Sequence, residues 1–267
     1  MAKEQFLHPE TAELLKTLDE AAHRSGVSRG QAFEDFLHMA VCALSGGRME
    51  DQYLAVVKKH TEGKPGRRGA DSLAVLYGQA VAAMEQTHGE IIDVLGDLFQ
   101  GAITYGEHGQ FLTPEHLCRA MAKLTIGDVP DEEAREQKSV CDPACGSGRM
   151  LLAVAEMQPH WLFVGQDVDL RCVRLTAINL ALRNLYGYVI WGNSFSNERR
   201  LVYRTGFDLH GFLMEVPVDD CPKPVRELAT EQTSPPIAAA TTGEPPLPSG
   251  EESDEPTERR TNQLRLF

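Results

Sequence analysis

No apolar run in this sequence approaches the roughly 18 uninterrupted residues that a membrane span requires. The opening MAKEQFLHPE also lacks the apolar core of a signal peptide. These two absences lead to the expectation of a protein that stays in the cytoplasm and has no membrane partner. The six cysteines, Cys42, Cys118, Cys141, Cys145, Cys172 and Cys221, include no CxxC pair, and the nine histidines are scattered. That pattern speaks against a disulfide framework and against a bound metal. Positive charge is the minority sign, 26 Lys+Arg against 39 Asp+Glu for a net charge of −13, and aromatics make up only 7%. A generally basic nucleic-acid binder is therefore excluded, and any DNA contact has to come from a local patch or a partner. What is present, 42% hydrophobic residues in 267, suffices for one substantial core or two modest ones.

Patterning divides the chain into three. Over residues 1–108 the apolar positions repeat at helical spacing: Leu14, Leu15, Leu18 and Ala22; Phe33, Phe36, Leu37, Ala40, Val41 and Leu44; Leu73, Leu76, Tyr77, Ala80, Val81 and Met84; Ile91, Val94, Leu95, Leu98 and Phe99. Each set forms one buried stripe, with loops at Ser45-Gly46-Gly47 and at 63–69. Over residues 109–216 short strand-like runs appear at Ser139-Val140-Cys141, Trp161-Leu162-Phe163-Val164 and Tyr188-Val189-Ile190-Trp191, separated by helical stretches after Gly148 and over 170–184. This is the grammar of a βαβαβ unit, with parallel strands and a ligand site at their carboxyl ends. From Pro217 onward Pro, Ser, Thr, Glu and Ala dominate and periodicity vanishes, with ten acids against five bases. Residues 217–267 read as a disordered tail.

The run Asp142-Pro143-Ala144-Cys145-Gly146-Ser147-Gly148 falls between the first strand and its helix. Two glycines there let a ligand approach the backbone, and the helix start offers free N–H groups. A dinucleotide fingerprint wants a third glycine where this chain has Leu151, which weakens a nicotinamide or flavin reading.

DPACGSG closely resembles the first motif of amino-methyltransferases that use S-adenosylmethionine (SAM), in particular the modification subunits of type I restriction systems. Gly109-Gln110-Phe111-Leu112-Thr113-Pro114 is similar to the family's GQFxTP segment, which helps hold the methionine end of SAM. Asp167 stands 19 residues beyond Gly148 at the end of the second strand, where an acid accepts hydrogen bonds from ribose hydroxyls. Gly192-Asn193-Ser194 resembles the segment beside the adenine ring. The resemblance thus implies a Rossmann-like methyltransferase fold with a partial parallel sheet, preceded by an all-α region. It implies SAM held by Phe111, Thr113, Pro114, Asp142, Ala144, Gly146, Gly148, Asp167 and Asn193. Short N-6 DNA methylases of plasmids and integrative elements share this arrangement over most of residues 1–215.

A DNA adenine-N6 methyltransferase also needs an Asn/Asp/Ser-Pro-Pro-aromatic tetrapeptide, which bonds the target amino group and stacks on the flipped base. None follows Asn193 behind a strand; Ser234-Pro235-Pro236-Ile237 and Glu244-Pro245-Pro246-Leu247 lie in low-complexity sequence. The expectation is therefore methyl transfer to adenine N6 in DNA with target-base groups from a second methyltransferase or specificity subunit. The alternative is a catalytically inactive binding module. After Phe195 about twenty residues remain for one more strand or a short helix. Two surface features complete the reading. Lys58, Lys59, His60, Lys64, Arg67 and Arg68 form a basic loop that either touches phosphates or is simply solvated. Gln263, Leu264, Leu266 and Phe267 resemble the QLxLF peptide that docks on the DNA polymerase sliding clamp.

Overall fold

The computed structural model describes residues 6–85, 90–104, 111–127, 138–208, 211–221 and 263–265. Gly109, Gln110, both Pro-Pro segments, Leu266 and Phe267 lie outside them. The apolar stripes become helices α1 (Thr11–Ser25), α2 (Arg29–Leu44) and α4 (Gly69–Glu85). A further helix α3 (Glu50–Val57) lies between α2 and α4. Local chemistry sets their ends. Ser28 caps α2 by accepting the Gln31 N–H at 3.1 Å. Gly26 ends α1 in the left-handed region at φ 66°, and the Val27 N–H returns to the Ala22 carbonyl. The helix expected across Ile91 to Phe99 is shorter: α5 covers only Val94–Leu98, and a π-helical turn continues over Phe99–Thr104.

Helix α6 (Glu115–Ile126) leads to strand β1 (Ser139–Asp142), and then α7 (Arg149–Ala155), β2 (Leu162–Asp167), α8 (Leu170–Leu182) and β3 (Gly187–Asn193) follow in alternation. β1, β2 and β3 are parallel, as the βαβαβ grammar requires. Beyond β3 the structure departs from the expectation of one strand or a short helix. Two strands, β4 (Glu198–Asp208) and β5 (Gly211–Val216), fold back antiparallel. The stretch read as a structureless tail also carries a 3-10 turn at Val218–Asp220 and a strand β6 (Gln263–Arg265), which pairs parallel with β1. The sheet order is β5-β4-β3-β2-β1-β6.

The sheet is apolar on both faces. One face joins α8 and the N-terminal helices in a single continuous core that runs from Leu14 to Leu213, with Phe33, Phe99, Trp161, Phe163 and Tyr203 among its largest members. The other face carries Val164, Ile190 and Val202, packed against Cys221. Among the described residues no helix is long and apolar enough to cross a membrane.

Candidate functional site

The ends of β1 and β2 meet over the glycine turn. Asp142, 3% exposed, closes β1, and its Oδ1 accepts the Ala144 N–H at 3.0 Å. The Cys145 N–H donates to the Gln166 carbonyl at 2.9 Å, tying the turn to β2. The Gly146 N–H donates to Asp167 Oδ2 at 2.9 Å, while Asp167 Oδ1 accepts the Asp169 N–H at 2.9 Å. On the helix side, Thr176 Oγ1 donates to the Gly146 carbonyl and Asn179 Nδ2 to the Ser147 carbonyl, each at 2.9 Å. The turn is thus held rigid from two sides.

Gly146 (φ 55°) and Gly148 (φ 88°) supply the left-handed backbone that this turn requires. The space over them differs from the expectation that both open the backbone to a ligand. A Cβ at Gly148 would stand 3.1 Å from Thr176 Cγ2, so that glycine serves the close packing of α8. A Cβ at Gly146 would meet Leu112 Cδ2 at 2.6 Å, so Leu112 covers that position. The helix that follows, α7, has only seven residues.

A cavity of about 220 Å³ opens beside the turn, bordered by Phe111, Thr113, Asp142, Ala144, Gly146 and Arg149. Five of the nine predicted site residues line it; Pro114, Gly148, Asp167 and Asn193 do not. Pro114 precedes α6, and Asp167 reaches the cavity through its bond to Gly146. Asn193 ends β3, where its Oδ1 accepts the Phe195 N–H at 2.9 Å and holds a loop whose Phe195 is fully exposed. The Trp191 Nε1–H bonds the Val168 carbonyl at 3.0 Å and so fixes the ends of β2 and β3 to each other.

The electrostatics favour a cation. Burial pushes the Asp142 carboxyl up to about 6, and the nearby Asp167 charge adds to this against the Ala144 N–H. Burial likewise raises Asp167. A pyrophosphate would face the Asp142 carboxylate in the cavity wall, and the Gly146 amide that should greet it already donates to Asp167.

Four further residues belong to this arrangement. Asp93, on the approach to α5, is 1% exposed and bonds Ser147 Oγ and Arg149 Nε, the latter at 2.9 Å. Arg149 also reaches Gln100 Oε1 at 3.1 Å. Leu112 caps the turn. The signal for this network lay in Arg149 itself, a cation opening the apolar helix RMLLAVA, which has to find an anion when buried. In the basic loop, by contrast, His60 is buried between Ser25 and Asp35, Lys59 pairs with Asp35 and Arg68 with Asp71.

Parallel strands ending in a glycine turn and flanking acids define the class: a Rossmann-like α/β protein with its ligand site at the carboxyl edge of the sheet. Residues 90–209 match the family model of N-6 DNA Methylase, so the resemblance to N-6 DNA methylases is borne out over that span. A curated relative, the type I restriction enzyme MjaVIII methylase subunit of Methanocaldococcus jannaschii, is 28% identical over 101 residues, which are 35% of this chain and 16% of that protein. Among solved structures, the type I restriction-modification system methyltransferase subunit from Streptococcus thermophilus aligns with a TM-score of 0.33 and 15% identity, covering 66% of this chain and 56% of that one. A putative class I S-adenosylmethionine-dependent methyltransferase from Listeria monocytogenes aligns with a TM-score of 0.38 and 17% identity, covering 67% and 51%. The chain thus spans about a sixth of its curated relative and about half of each solved chain.

Proposed function

We propose that this chain is the cofactor-binding part of a SAM-dependent DNA methyltransferase acting on the adenine N6 amino group. The observation that carries the reading is a buried carboxylate, Asp142, and a half-buried one, Asp167, at a glycine turn whose own amide is already bonded to Asp167. Such a site accepts a ligand bearing an ammonium and a sulfonium and repels a dinucleotide. The cavity of about 220 Å³ would take the methionine end of SAM, with Thr113 and Asp142 holding it. Asp167 would hold the ribose hydroxyls on oxygens it shares with the Gly146 and Asp169 amides, and Asn193 would hold the adenine end. When bound, SAM supplies an electrophilic methyl group, and the adenine nitrogen that takes it releases one proton.

No Asn/Asp/Ser-Pro-Pro-aromatic segment occurs among the described residues, and β3 is followed by an antiparallel hairpin. This favours a second chain as the source of target-base contacts; the alternative is a SAM-holding module without activity of its own. The comparisons carry no support for docking on a sliding clamp, and Gln263–Arg265 are paired with β1. Titration with SAM and, separately, NAD, followed by labelled methyl transfer to unmethylated DNA, tests the proposal. SAM binding without NAD binding is expected. Transfer by the chain alone would remove the need for a second chain, and NAD binding would overturn the cofactor reading.

A further inference from the structure

We propose that Asp93, outside every motif of the site, is the positioning residue of the cofactor turn, a role that rests on the SAM reading above. Its carboxylate accepts four hydrogen bonds. Oδ1 takes the Gly96 N–H and Asn179 Nδ2, both at 2.8 Å, and Oδ2 takes Ser147 Oγ and Arg149 Nε. The donors come from three elements, α5, the glycine turn with the head of α7, and α8. Asn179 continues to the Ser147 carbonyl, and Arg149 continues to the Thr113 carbonyl at 3.5 Å. The Asp93 N–H itself donates to Glu115 Oε1 at 3.1 Å, one residue beyond Pro114. One buried carboxylate therefore ties Ser147 and Arg149 to each other and, through Arg149, to the Thr113 carbonyl, and all three of these residues line the cavity.

Gly96 supplies an independent sign. A Cβ there would collide with Asp93 Oδ2 and stand 2.5 Å from Ser147 Oγ, although the residue sits in an ordinary helix. Alanine would favour the helix by intrinsic propensity. Glycine is thus required by the carboxylate, and Gly96→Ala displaces the hub while leaving every charge in place.

The test uses the full chain with Gly96→Ala, Asp93→Asn and the milder Ser147→Ala. Gly96→Ala and Asp93→Asn should weaken SAM by about 10- to 100-fold, as expected when supporting groups misplace a site by about an ångström. Ser147→Ala should weaken it less. In the free proteins, amide exchange at Gly146 and Gly148 should accelerate while Val164 and Val189 stay protected. Asp93→Asn leaves Arg149 buried without its anion and can unfold the chain, and Gly96→Ala pushes a Cβ against the same carboxylate; Ser147→Ala, which removes a single donor, decides the question if either of them fails to fold. A merely structural role would lower the melting temperature and leave both the affinity of the folded protein and exchange at the turn unchanged, which overturns the proposal. Wild-type protein that fails to bind SAM overturns the cofactor reading, while exchange at the turn still decides whether Asp93 positions it.

Discussion

Asp142 joins stability and binding in one side chain. Because burial raises its carboxyl from 3.8 to about 6, the folded state holds a proton that the unfolded chain has released between those values. Folding stability therefore falls as pH rises through that window. At pH 7 the ionised carboxylate costs the free protein about 2 to 3 kcal/mol. Asp142→Asn keeps the acceptor for the Ala144 N–H and removes that cost, so urea denaturation at pH 7 should show a more stable protein. The same variant should bind SAM at least several-fold more weakly, and wild-type affinity should decline as pH is lowered through 6. A variant of unchanged stability, or an affinity flat from pH 5 to 8, would refute the assignment. Asp167 differs because both its oxygens hold backbone amides. Asp167→Ala should weaken SAM by about 1 to 3 kcal/mol through lost hydrogen bonds, and calorimetric titration measures it directly.

At the scale of elements, the glycine turn is the most constrained piece of chain. Gly148→Ala combines a left-handed φ of 88° with a Cβ only 3.1 Å from Thr176 on α8. A loss of about 1 to 3 kcal/mol is expected, read from the shift of the denaturant midpoint at unchanged slope. The same turn was legible in the sequence, because a Gly-x-Gly between a strand and a helix has few other uses. β1, β2 and β3 were equally legible as short apolar runs. β4 was not, because its fully buried Val202 and Tyr203, one against each face of the sheet, stand among Arg199, Arg200 and Arg204, which break up both an apolar run and an alternation. Asp93 was invisible for a different reason. As a cap accepting the Gly96 N–H it looks like any acid opening a helix, and its bonds to Ser147, Arg149 and Asn179 exist only in the folded chain. Leu112 over Gly146 is likewise a tertiary fact that no spacing encodes.

Across the whole molecule, the N-terminal helices and the sheet share one core, and residues 91–93 bind the two parts through their backbone. Glu156 accepts the Ile91 N–H at 2.9 Å, Arg119 donates to the Ile91 carbonyl at 3.1 Å, Arg183 donates to the Ile92 carbonyl, and Glu115 accepts the Asp93 N–H. All four side chains belong to elements on the sheet side of this segment. Breaking the helices away would expose both apolar surfaces and strand these partly buried partners, so partial unfolding should cost nearly as much as complete unfolding. Both tryptophans, Trp161 and Trp191, lie beside the sheet, whereas the longest helices, α1, α2 and α4, lie in the N-terminal part. Fluorescence and far-ultraviolet circular dichroism therefore weight the two parts differently. The two signals should trace one thermal transition, and Arg183→Gln, which removes a buried charged donor, should lower both midpoints together by about 1.5 to 3 kcal/mol of stability. A helical transition that separates from the fluorescence transition by more than a few degrees would show two units in contact rather than one body, and it would also break the mechanical link by which Asp93 acts on the cofactor turn.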